Sequence, residues 1–121
     1  MTVTHDVINP ATEQVVRTVG LTTVEQADEA IARARAASPA WKAVAPADRG
    51  LLLRRFSDLV GEHQEELAQL EVSNAGHTIG NARWEAGNVR DVLAYFSAAP
   101  ERNFGRQIPV AGGINVTFKE P

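Results

Sequence analysis

The sequence predicts a mainly helical chain: three long amphipathic helices, with one β-hairpin before them and another after. Three observations carry this reading. Apolar residues recur at steps of three and four through three long windows, the period of one helix face. The two ends hold short β-branched runs separated by turn residues, as hairpins do. Helix-capping residues stand at the window boundaries.

In chain order, Val7-Ile8-Asn9-Pro10-Ala11-Thr12 ends an apolar run in a turn, because a residue before proline is pushed out of the α region. Val15-Val16-Arg17-Thr18-Val19 then alternates, so a hairpin is predicted over residues 5–9 and 14–20. Thr22 with Glu25, or Thr23 with Gln26, has capping-box spacing at a helix start. Val24, Ala27, Ala30, Ile31, Ala34 and Ala37 form the first face, and Ser38-Pro39 is expected to stop the helix or restart it as a short turn carrying Trp41.

Pro46 suits the first position of a second helix. Its stripe is Leu52, Phe56, Leu59, Val60, His63, Leu67 and Leu70, with a slight break expected at Gly61 and a stop at Gly76. Thr78 caps a third helix whose face is Ile79, Ala82, Ala86, Val89, Leu93 and Phe96, ending near Pro100. Residues 107–110 and 114–118 flank Ala111-Gly112-Gly113 as a second hairpin, with Pro109 at an edge or bulge.

Composition excludes several classes. Apolar content of 44% and charged content of 22% are near the globular average, which argues against disorder. The formal net charge is −3, with basic residues dispersed among acidic ones, so nucleic-acid binding is not expected. No apolar run has membrane-spanning length, and Met1–Asp6 shows no secretory signal, so a cytoplasmic protein without a membrane partner is expected. Asn115-Val116-Thr117 matches a glycosylation pattern, read as chance without such a signal. There is no cysteine, hence no disulfide, thiolate metal site or thiol nucleophile.

Few constellations point to chemistry. A G-x-G-x-x-G loop is absent; Gly76–Gly80 precedes a helix and reads either as an anion site or, more simply, as a helix stop followed by a helix cap. His63 and Glu66 stand i,i+3 on one helix, two ligands where a stable metal site needs three or four. Glu65 and Glu66 point about 100° apart and read as a solvated face. From the residues alone, a small helical binding or oligomerisation module is the default.

The same residues resemble a family. Ile8-Asn9-Pro10-Ala11-Thr12-Glu13-Gln14-Val15-Val16 is similar to the opening stretch of aldehyde dehydrogenases, with Glu13 where glycine is commoner. Ser38-Pro39-Ala40-Trp41 resembles the end of their first helix, and Arg49–Leu70 their second. Asn74-Ala75-Gly76-His77-Thr78 stands where the family usually has an acidic residue or threonine and then Thr-Gly-Lys-Pro. Gly105-Arg106-Gln107-Ile108-Pro109 and Phe118-Lys119-Glu120-Pro121 resemble its next strand pair. No single motif is diagnostic; the order and spacing of five are.

The resemblance implies an α/β parent with a Rossmann-type cofactor domain, a catalytic domain and a β-stranded oligomerisation arm. Residues 1–104 correspond to an incomplete N-terminal helical layer of the cofactor domain, and 105–121 to the first strands of the arm. It implies an enzyme oxidising aldehydes to carboxylic acids with NAD or NADP, through thiolate attack, hydride transfer and thioester hydrolysis. The family's catalytic Cys and Glu and its ribose-binding Lys have no counterpart here, so the chain carries no catalytic or cofactor-binding residue and is expected to be inactive alone, without bound cofactor. In relatives that bind a monovalent cation, the matching positions are Val7, Ile8 and Asn74; asparagine offers a neutral oxygen in place of a carboxylate, and otherwise reads as a helix C-terminal residue. A parental homodimer or tetramer is implied. The helix faces are expected to lack the sheet they cover, so the isolated chain should self-associate. The alternative, a stand-alone helical interaction module, expects those faces to be covered from within one copy.

Overall fold

The computed structural model describes residues 3–119. The expectations that fall on Met1, Thr2, Glu120 and Pro121, at the start of the chain and the end of the strand pair, lie outside these residues. The order is β1 (Thr4–Ile8), β2 (Val15–Gly20), α1 (Val24–Ala43), α2 (Pro46–Glu62), α3 (Gln64–Ala75), α4 (Ile79–Ser97), the single turn α5 (Ala99–Arg102), β3 (Arg106–Val110) and β4 (Gly113–Thr117). The chain is therefore mainly helical with two antiparallel hairpins, β1–β2 and β3–β4, as the periodicities predict.

The first hairpin turns on Asn9. Its Oδ1 accepts from the Ala11 and Thr12 amides at 2.9 and 3.3 Å, an Asx turn. Its own N–H donates to the Gln14 carbonyl, and the Glu13 N–H donates back to the Asn9 carbonyl. This closure drives Glu13 to φ 60°, the one non-glycine residue with positive φ among those described. The pairing shifts register between Val7 and Ile8. The second hairpin turns through Gly112 at φ 75°.

α1 begins on a full capping box: Thr23 Oγ1 accepts from the Gln26 N–H, and Gln26 Oε1 accepts from the Thr23 N–H. The expected stop at Ser38-Pro39 is corrected, since α1 runs through Pro39 to Ala43. Proline's fixed φ is helical, and what it removes is one N–H. The carbonyl left without that donor belongs to exposed Arg35, where it is open to solvent.

The predicted second helix is a bent rod. Pro46 occupies its first turn, and the bend falls at His63 (φ −100°, ψ 14°) rather than at Gly61. The hydrogen-bond ladder is nevertheless bridged: His63 N–H donates to Leu59, and Leu67 N–H to His63. α3 ends at Gly76 with φ 75°, the left-handed cap that glycine takes without a Cβ clash. A Cβ there would also lie 2.6 Å from Pro10 Cγ, so the first hairpin rests against this turn.

The centre of the fold is the packing of α4 against α2 and α3. Its buried residues are small: Gly50, Ser57, Val60 and Ala68 from the rod, and Ala82, Ala86 and Gly87 from α4. Ser57 Oγ donates to the Arg90 carbonyl at 2.8 Å, and Gln64 Nε2 to the Arg83 carbonyl at 2.9 Å. The larger residues of the predicted stripes are not covered. Leu52, Phe56, Val89 and Phe96 are each about half exposed, and no residue of α1 is buried. β3 and β4 are exposed throughout. This is the surface expected of helices that lack the layer they coat, and not the covered core a stand-alone module requires.

Replacing Glu13 by glycine should remove the left-handed cost of an L-residue, about 1–2 kcal/mol, partly offset by glycine's greater chain entropy. We expect Glu13→Gly to raise the urea midpoint of any transition that includes the first hairpin; an unchanged or lower midpoint would contradict the turn geometry.

Candidate functional site

The corner where α3 turns into α4 gathers most of the residues the sequence singled out. β1–β2 lies beside it, and a cleft of about 390 Å³ is lined by Val7, Val19, Arg17, Leu70 and Asn74, among others. Two of the three cation candidates, Val7 and Asn74, thus face one cleft. Ile8 is not among its lining residues, and Arg17 places a positive charge in it.

Gly76–Gly80 makes a stop and a start. Gly76 is the C-cap of α3, and Thr78 is the N-cap of α4, its Oγ1 accepting from the Asn81 N–H at 3.5 Å. These residues are engaged in ending one helix and beginning the next, which does not fit a phosphate cradle.

Of the predicted His–carboxylate pair, His63 Nδ1 and Glu66 Oε2 are 2.8 Å apart, with no third ligand among the described residues. The sequence reading missed a fuller group. His77 Nδ1 stands 2.9 Å from Glu85 Oε2 and 3.6 Å from Glu71 Oε1. Glu71 is in α3, His77 in the turn and Glu85 in α4. The spacing 71, 77, 85 shows no helical period, because the reversal at Gly76 intervenes. The signal available was that stop–start itself: a histidine just after it lies near both helices.

At the other end of α3, Arg83 donates through Nε and Nη2 to both oxygens of Glu65, at 2.7 and 2.8 Å, and Gln69 adds a third hydrogen bond. This fork joins α3 to α4. Glu65, read as merely solvated, is therefore a cross-link. The hydrogen bonds from Arg83, then from Gln69, hold its carboxyl down at about 2, against an ordinary 4.5.

With this geometry in view, the comparisons are coherent. The family model described as "Aldehyde dehydrogenase family" matches residues 2–121. The chain is 33% identical over 106 residues to the glutarate-semialdehyde dehydrogenase of Pseudomonas putida, covering 88% of this chain and 22% of that protein. It is 33% identical over 126 residues to the cytosolic 10-formyltetrahydrofolate dehydrogenase of Pongo abelii, covering 98% and 14%. A crystal structure of a betaine aldehyde dehydrogenase double mutant from Staphylococcus aureus, in complex with NAD+, superposes with a TM-score of 0.89 at 33% identity, over 98% of this chain and 24% of that one.

The fold and its match over nearly every residue define a segment of an α/β dehydrogenase rather than an independent helical module. The chain belongs to the aldehyde dehydrogenase family. It spans about a fifth of the length of the semialdehyde dehydrogenase it matches. No helix among the described residues is long and apolar enough to cross a membrane.

Because the folded carboxyl of Glu65 titrates below its unfolded value, the stability this fork contributes is complete above about pH 4.5 and is lost as the pH falls toward 2. Arg83→Gln should return the Glu65 titration toward the ordinary carboxylate range, read from its side-chain carboxyl signal by NMR. A midpoint near 2 in that variant would refute the fork.

Proposed function

We propose that this chain is the N-terminal segment of an NAD(P)+-dependent aldehyde dehydrogenase, with residues 1–104 as the helical layer of the cofactor domain and 105–121 as the first strands of the oligomerisation arm. The observation that carries this is the match to the family over residues 2–121, joined to an apolar trough between the rod and α4. That trough is lined by Phe56, Val60, Leu67, Ala82, Ala86 and Val89, with Glu71 and Glu85 at its edge. In the whole protein the remaining domains cover such faces, and the activity is oxidation of an aldehyde to an acid, with NAD(P)+ accepting the hydride. The chain has no cysteine, so the thiolate must come from elsewhere and the segment alone is inactive. A cytoplasmic setting is part of this proposal.

Residues 2–121, spliced in place of the matching segment of the Staphylococcus aureus betaine aldehyde dehydrogenase, should yield a folded enzyme that reduces NAD+ with betaine aldehyde. A folded chimera that binds NAD+ but stays silent, or one that cannot assemble, would count against the assignment.

A monovalent cation, if one is held, takes Val7 and Ile8 carbonyls with Asn74. The neutral Asn74 and the nearby Arg17 weaken the attraction, and sodium-dependent amide shifts confined to these residues would register it. The isolated chain buries its faces by self-association, and the whole protein assembles as a homodimer or homotetramer. Sedimentation velocity should show species larger than a monomer, reduced in Phe56→Glu; a monodisperse monomer would contradict this.

A further inference from the structure

We propose that Glu71, His77 and Glu85 form a site for a divalent transition-metal cation, of which zinc is the representative. Imidazole nitrogen and carboxylate oxygen are zinc ligands, while a histidine in the set disfavours magnesium or calcium. One donor atom from each of the three residues lies within 4.8 Å of the others. At a tetrahedral centre, bond lengths of about 2.0–2.2 Å place neighbouring donors roughly 3.3–3.6 Å apart. Of the observed separations from His77 Nδ1, 3.6 Å lies at the top of that range and 2.9 Å falls short of it. An adjustment of a few tenths of an ångström at Glu85 brings both into it. In this chain on its own the three side chains are 40 to 43% exposed, so they can make that adjustment and a cation can reach them.

The donor chemistry asks for a cation. A neutral imidazole nitrogen presents one proton or one lone pair, yet His77 Nδ1 faces two carboxylate oxygens. It can donate to one of them only. A dication binds the lone pair and both carboxylates together, turning a group with two negative charges into a neutral one. The ligands come from α3, the turn and α4, so the cation ties the two helices together across Gly76. Three protein ligands leave the fourth position to water, as in an open zinc site. His63 with Glu66 is a natural internal control: it is also an exposed histidine beside a carboxylate, but it has two donors instead of three.

The test is isothermal titration of the chain with zinc chloride, with cobalt(II) visible absorption reporting the coordination geometry. One zinc per chain is expected, with affinity at least tenfold lower in His77→Ala and in Glu85→Gln and unchanged in His63→Ala. Zinc should raise the melting temperature of the unaltered chain, as a ligand of the native state does, and not that of Glu85→Gln. That near-isosteric variant keeps the test valid if His77→Ala unfolds. Absence of zinc binding, or equal affinity in the unaltered chain and both site variants, overturns the proposal.

Discussion

The helical centre of the fold turns on how closely α4 can approach the bent rod of α2 and α3. Small residues set that distance: Gly50, Ser57 and Ala68 on one side, Ala82, Ala86 and Gly87 on the other. At Gly50 a Cβ would stand 2.6 Å from the Ser97 carbonyl oxygen, which leaves no room for any larger residue without moving a helix. The contact is close enough for Ser57 and Gln64 to hydrogen-bond backbone carbonyls of α4 that are already engaged in its ladder. Carbonyl oxygens have two lone pairs, so these bonds cost α4 nothing and fix its register against the rod.

That closeness has a consequence for the larger side chains. Helices that meet through alanine and glycine bury little apolar area between them, and the hydrophobic contribution scales with area. Phe56, Leu67 and Val89 flank the contact and stay partly exposed on either side of it. The crossing thus fixes the helix geometry while presenting a ready-made apolar face. A segment whose main apolar surface lies outside its own contact is built to complete a larger assembly, in agreement with its span of a fraction of its relatives.

Most of the fold was legible from local chemistry. Both hairpins, the Thr23–Gln26 box, Pro46 at a helix start, the Gly76 stop and the Thr78 cap all follow from rules that act within a few residues. Two features were not legible for the same reason in reverse. Pro39 reads as a stop, but the penalty depends on whether its orphaned carbonyl meets water, which is a matter of exposure. The bend reads at Gly61 but falls at His63, and nothing in the local sequence marks that position. The site was less legible than the fold. Asn74 and Val7 line one cleft, and Glu71, His77 and Glu85 share no period. Their proximity comes from the chain reversal, and period-based reading is blind across a reversal.

The corner between α3 and α4 separates what the backbone fixes from what the side chains can vary. By the resemblance, Asn74 stands where the family usually has an acidic residue or threonine, and His77 where it usually has lysine. A lysine ammonium beside Glu71 and Glu85 is a point charge that neutralises without ligating; an imidazole beside the same carboxylates contributes a lone pair instead. The backbone of the corner is held by Gly76, left-handed against Pro10, and by Thr78 capping α4. Glu13, standing where glycine is commoner, shows the same rule in the neighbouring hairpin: the turn keeps its φ of 60° although the residue best suited to it is absent. The scaffold at this corner is therefore set by capping and close contact, which tolerate such exchanges, and the side chains projecting from it are the part free to acquire different chemistry.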